Sequence, residues 1–133
     1  MYATQTNYSC VSCQSPCGYC TSLTVCITCL NGFYLSNSSC VVECPAGYTG
    51  VNQLCQVCLG NCATCSGSTT LCNSCKSNTY FMSANNSCVN SCGTGLYIDY
   101  LTQSCIACTS PCKTCTNTSD TCLSCTVGIL YNN

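Results

Sequence analysis

A small disulfide-rich fold, mostly β-hairpins and loops with almost no helix, laid out as an elongated rod of tandem modules, is the architecture this sequence predicts. Three observations predict it. Cysteine supplies 22 of the 133 residues, well above the roughly 8–10% at which a chain of this size reads as a cross-linked scaffold. Leu, Ile, Val and Phe together supply 24, too few for an ordinary core unless covalent bonds replace it. The cysteines also recur in one register. From Cys10 the spacing is C-x2-C-x3-C-x2-C-x5-C-x2-C-x10-C-x3-C-x10, arriving at Cys55. From Cys55 it is C-x2-C-x3-C-x2-C-x6-C-x2-C-x12-C-x3-C-x12, arriving at Cys105, where the pattern begins again and runs to Cys125. A period of 45 and then 50 residues is the signature of a quasi-linear array.

Each module has the same elements in order. Clustered C-x-x-C pairs come first, followed by two longer cysteine-to-cysteine segments. CLNGFYLSNSSC at 29–40 is in phase with CKSNTYFMSANNSC at 75–88. PAGYTGVNQL, between Cys44 and Cys55, carries Pro, two Gly and an aromatic; GTGLYIDYLTQS, between Cys92 and Cys105, sets β-prone Leu-Tyr-Ile after Gly. Both read as β-hairpins, and no sustained 3.6-residue period argues for helix. Phe33, Tyr34, Tyr80 and Phe81 are expected to cover neighbouring bridges. Aligned on the cysteines, Met1 falls inside a repeat and CTVGILYNN at 125–133 stops before the next cysteine of the pattern. The expectation is a piece of a longer array.

Charge excludes whole classes of function. The five charged residues are Glu43, Lys76, Asp99, Lys113 and Asp120, and the net charge is −1. No basic patch exists to neutralise phosphates, so no nucleic-acid partner is expected. No amphipathic or polybasic stretch suits a membrane surface, and none of the apolar runs approaches the length of a span. With no histidine, and with the charges scattered, no acid–base pair, activated nucleophile or phosphate loop can be named; the reading is not an enzyme, with no catalytic residues and no cofactor.

Nine C-x-x-C pairs invite three chemistries. Zinc would use paired thiolates, but here the gaps between adjacent pairs are three, five or six residues, shorter than zinc modules use, and no histidine contributes; no metal is expected. Redox chemistry needs a thiol activated by a basic neighbour or helix N-terminus, and only one of the nine pairs, CKTC at 112–115, encloses Lys, Arg or His. Cross-links are the reading favoured, and they persist only in an oxidising compartment. The N-terminal MYATQTNYSC lacks the basic and apolar regions of a signal peptide. The two agree if this is a mature segment of a longer secreted chain, extracellular or at the cell surface.

The eight-cysteine register, repeated over residues 10 to 125, resembles the furin-like cysteine-rich repeat of growth-factor receptor ectodomains and many protist surface proteins. The low charge and abundant Asn, Ser and Thr are more like the ciliate and other protist members. The resemblance implies two interlaced bridges followed by two hairpin bridges per repeat. Carried over, that means Cys13–Cys20, Cys17–Cys26, Cys29–Cys40 and Cys44–Cys55, then Cys58–Cys65, Cys62–Cys72, Cys75–Cys88 and Cys92–Cys105, then Cys108–Cys115 and Cys112–Cys122. Cys10 and Cys125 are left over, and their partners are expected beyond the two ends. The modules so defined are repeat 1 over 13–57, repeat 2 over 58–107 and a partial repeat 3 over 108–133, with 1–12 as the tail of a preceding repeat.

Four Asn-x-Ser/Thr sequons begin at Asn7, Asn37, Asn85 and Asn117. Asn37 and Asn85 stand three residues before a cysteine that the resemblance places at the close of a hairpin, and a glycan on such a turn would solubilise a surface nearly devoid of charge. The functional expectation is a non-enzymatic structural segment of a larger extracellular protein: a stapled, glycosylated rod serving as spacer, surface coat or filament building block. Its expected partners are other copies or neighbouring repeats of the same protein. The alternative is a ligand-binding receptor ectodomain or surface antigen. That reading requires an aromatic or charged hot spot on one repeat alone, for which Tyr97 and Tyr100 beside Asp99 are the candidates.

Overall fold

The computed structural model describes residues 2–3 and 10–128. Among these the regular structure is entirely β, and no helix is long and apolar enough to cross a membrane. Contacts divide the chain into two compact units, Met1–Cys58 with Cys65–Thr69, and Leu59–Thr64 with Thr70–Asn133.

In the first unit, β1 (Tyr2–Ala3) pairs with β2 (Cys10–Val11), and the hairpin β3 (Cys17–Ser22) and β4 (Val25–Cys29) follows. Next come β5 (Tyr34–Ser36), β6 (Ser39–Val41), β7 (Tyr48–Val51) and β8 (Leu54–Val57). These four form one sheet in the order β6-β5-β8-β7, two antiparallel hairpins joined by a parallel contact at Leu35↔Leu54. Both hairpins turn in two residues. Asn37 and Ser38 have φ of +46° and +65°, Asn52 and Gln53 of +50° and +61°. Two consecutive left-handed residues match the natural twist of a hairpin, which is why Asn recurs here.

The second unit repeats the plan. β9 (Cys62–Cys65) pairs with β10 (Cys72–Cys75), then β11 (Tyr80–Met82), β12 (Ser87–Val89), β13 (Leu96–Asp99) and β14 (Ser104–Ala107) form a sheet ordered β12-β11-β14-β13. The parallel contact is again a single pair, Phe81↔Ser104. A further hairpin, β15 (Cys112–Cys115) with β16 (Cys122–Cys125), belongs to the third run of cysteines. Equivalent hydrogen bonds recur: Leu35 N–H to Gln53 O and Phe81 N–H to Gln103 O, Cys58 N–H to Gly47 O and Cys108 N–H to Gly95 O, all at 2.8 Å. Gly47 and Gly95, at φ of +84° and +86°, occupy the same left-handed turn position ahead of β7 and β13.

Of the five extra residues in the second repeat, one lies between Cys65 and Cys72 and four go to the tips of the two later hairpins. Ser36↔Ser39 and Val51↔Leu54 each enclose two residues, whereas Met82↔Ser87 and Asp99↔Ser104 each enclose four. The ladders behind them keep their register, because slipping by one residue would exchange the faces of the strand.

The core consists of half-cystines. Among the described residues, Cys20, Cys26, Cys29, Cys58, Cys62, Cys65, Cys72, Cys88, Cys105, Cys112 and Cys115 are the buried hydrophobic positions, and no large side chain is fully buried. Thr79 is also buried, with its hydroxyl donating to Lys76 O at 2.6 Å. Two of the aromatics have defined neighbours. A Cβ at Gly50 would overlap the Tyr34 ring, so this ring lies on bare strand backbone. Tyr80 meets Tyr100 edge to face, with ring centroids 6.1 Å apart.

Candidate functional site

Ten disulfides join cysteines of the described residues. In the first run they are Cys13–Cys20, Cys17–Cys26, Cys29–Cys40 and Cys44–Cys55. In the second they are Cys58–Cys65, Cys62–Cys72, Cys75–Cys88 and Cys92–Cys105. In the third they are Cys108–Cys115 and Cys112–Cys122. Cys10 is free and exposed; Cys125 is free and half-buried, at the strand position that Cys29 occupies in β4. The bonded cysteines are not always those that face each other across a ladder. Cys17 faces Cys29 but is bonded to Cys26, and Cys20 faces Cys26 but is bonded to Cys13.

This offset stacks bridges against one another. Sγ of Cys26 lies 3.3 Å from Sγ of Cys40, although the two belong to different disulfides. Sulfur atoms of Cys13, Cys17 and Cys20, and of Cys26, Cys29 and Cys40, lie within 4.8 Å of one another. Every one of these sulfurs is bonded to another sulfur. Thiolates at either cluster would require reducing two bridges first, since the thiolate is the form that ligates.

Three of the four sequons fall on exposed turns. Asn37 is the first residue of the β5–β6 turn. Asn85 lies in the β11–β12 tip, where the Ser87 hydroxyl of its own sequon donates to Asn85 Oδ1 at 2.6 Å. Asn117 sits in the β15–β16 loop at φ +63°. There the Thr118 hydroxyl donates to Asp120 Oδ1 at 2.6 Å and holds that carboxyl below the ordinary carboxylate value. Asn7 lies outside the described residues.

The aromatic candidates divide. Tyr97 and Tyr100 border one groove of about 250 Å³ with Leu96, Ile98, Cys115 and Asn117. Asp99 does not line it. Its carboxylate is turned into its own loop, accepting from Thr102 Oγ1 at 2.7 Å and Leu101 N–H at 3.0 Å. The Thr102 hydroxyl first, and the Leu101 amide second, hold Asp99 below the ordinary carboxylate value. The loop so braced presents Tyr100 and Leu101 to solvent, 73% and 96% exposed.

A further groove escaped the sequence reading. Ile27, Cys29, Leu35, Asn52, Gln53 and Leu54 line about 270 Å³ of surface in the first unit. Its counterpart in the second unit, about 240 Å³, is lined by Asn73, Cys75, Phe81, Thr102, Gln103 and Ser104. The signal available in the sequence was the difference between aligned positions, Ile27 against Asn73 and Leu54 against Ser104.

A repeated cysteine register, cystine interiors and paired hairpins define a cysteine-rich repeat protein, and its many disulfides point to an oxidising environment. No family model matches the chain. It is similar to two curated proteins of the ciliate Tetrahymena thermophila. Cysteine repeat modular protein 1 is 30% identical over 45% of this chain, and Cysteine repeat modular protein 2 is 35% identical over 44% of it. The chain spans 4% and 3% of the length of these relatives.

Proposed function

We propose that this chain is a non-enzymatic structural segment of a larger extracellular protein, built of furin-like cysteine-rich modules and serving as spacer, surface coat or filament building block. The observation that carries the reading is the cystine core. Each disulfide stabilises its module by constraining a short loop, about 2–4 kcal/mol apiece in the chain-entropy picture and less than additively in sum. The bridges thereby substitute for the aliphatic core the sequence lacks. Such an interior suits persistence outside the cell more than it suits catalysis, and the five charges form no acid–base pair in the sequence. The "modular" in the relatives' names supports the tandem arrangement, with modules over 13–57, 58–107 and 108–133, and 1–12 closing a preceding one. N-glycans at Asn37, Asn85, Asn117 and Asn7 cover a surface with little charge of its own, and Cys10 and Cys125 pair with cysteines outside this segment.

One observation favours a second reading, a ligand-binding ectodomain or surface antigen: the exposed Tyr100–Leu101 tip, which among the described residues belongs to the second repeat and has no counterpart at the Asn52-Gln53 turn of the first. Negative-stain electron microscopy of the native source material, before and after mild reductant, separates the two. Regular filaments or coats whose subunits match a string of these modules, and which collapse on reduction, are the expected result. Density confined to isolated copies on cell membranes would overturn the structural reading in favour of the second.

A further inference from the structure

The two units share one scaffold and differ at two corresponding places. In the first, the groove beside the β7–β8 turn is apolar, and its walls are open to solvent, Ile27 being 51% and Leu54 44% exposed. In the second, Asn73 and Ser104 stand where those residues would be. The tips are reversed. The first unit ends β7–β8 in the polar pair Asn52-Gln53, whereas the second inserts Tyr100-Leu101 into β13–β14. One repeat therefore carries an apolar socket without a knob, and the other an apolar knob without a socket. The knob is pre-organised: Asp99 ties the loop through Leu101 N–H and the Thr102 hydroxyl, and Tyr80 backs Tyr100. Pre-organisation removes part of the ordering cost of association.

We propose that the Tyr100–Leu101 tip of one copy docks in the Ile27–Leu35–Leu54 groove of a second copy of this chain, head to tail. The inference rests on the structural reading above and names the contact that assembles it. Because knob and socket are different surfaces, the contact is heterologous, and each docked copy retains one unused half, so the assembly grows as an open series. A net charge of −1 opposes self-association hardly at all. No charged residue lines the groove, and the single carboxylate at the knob is already satisfied within its own loop.

The test is sedimentation of the secreted, oxidised 133-residue chain over a wide concentration range. The weight-average mass rises with concentration without levelling at a dimer. Leu101→Asp, at an exposed position, and Ile27→Asn with Leu54→Ser, which installs the residues the second unit carries at the same places, each weaken association by at least about tenfold, as loss of an interface anchor does. An equimolar mixture of the two variants, each holding one intact half, gives dimers and nothing longer. Unchanged free-thiol content shows that both variants are folded. A chain monomeric at all concentrations, or a Leu101→Asp variant that associates like the parent, would overturn the contact. Either outcome leaves the structural reading to stand or fall on the native filaments.

Discussion

The ring of Tyr34 lies directly on the backbone of Gly50, where a Cβ would come within 2.6 Å of the ring's Cζ. The second repeat places Ile98 at the position of Gly50, opposite Cys105 as Gly50 is opposite Cys55. Tyr80, the counterpart of Tyr34, packs on Tyr100 instead. Two solutions to one packing problem thus stand in successive repeats. A bare glycine accepts the ring in the first; a second ring accepts it where an isoleucine occupies the glycine's place.

Gly50→Ala is therefore expected to destabilise the first unit by about 1–3 kcal/mol, the usual cost of overpacking. Tyr34→Ala in the same chain should recover part of the loss. Denaturant unfolding of the two single variants and the double variant measures the coupling; strictly additive losses would contradict the packing described.

Removing a hairpin bridge tests how much each contributes. Cys29→Ser with Cys40→Ser should lower stability by about 2–4 kcal/mol and release protection of β5 and β6 in hydrogen exchange before that of β11 and β12. Full reduction should abolish slow-exchanging amides throughout, since the buried hydrophobic positions described are all cysteines. Retention of an ordered sheet after reduction would show that the aliphatic residues hold more than their exposure implies.

The Asp99 loop has a defined pH response. Its carboxyl titrates below the ordinary value because the Thr102 hydroxyl and Leu101 amide stabilise the anion. A depressed carboxylate favours the ordered loop above its unfolded value, and that contribution is lost as the pH falls through the depressed one. Thr102→Val should move the Asp99 titration, followed by NMR, back toward the ordinary carboxylate value. An unmoved midpoint would assign the depression to something other than the hydroxyl.

In the isolated, unreduced chain, maleimide labelling followed by peptide mapping should find two reactive thiols. Cys10, which is exposed, should label faster than the half-buried Cys125. Label on any third cysteine would mean that one of the ten bridges is absent.

The fold class was legible because the cysteine register is a one-dimensional pattern and the hairpin turns announce themselves through Gly and Asn. Asn37 and Asn52 mark their turns through the left-handed conformation they tolerate. Register and bonding were less legible. Cys17 faces Cys29 yet bonds to Cys26, so cysteine spacing alone offers no rule for pairing, and the pairing expected came from resemblance. The seats of Tyr34 and Tyr80 depend on Gly50 and Ile98, residues distant in sequence and unremarkable within it. The candidate surfaces were half legible. Tyr97 and Tyr100 stood out as aromatics of one repeat, but Leu101 and the Ile27–Leu54 groove emerge only when strands bring separate segments together.

The reach of the bridges has a consequence for biosynthesis. Among the described residues, the widest span of a disulfide is 13 residues, so each closes a loop almost as soon as its second cysteine is available. Chains dominated by such local closures avoid the slow search for distant partners, and stacked repeats can order one after another. An oxidising lumen can therefore fasten a growing polypeptide link by link as it enters, the time per link being independent of how many have gone before. Lengthening such a protein by adding copies would leave the difficulty of making it unchanged.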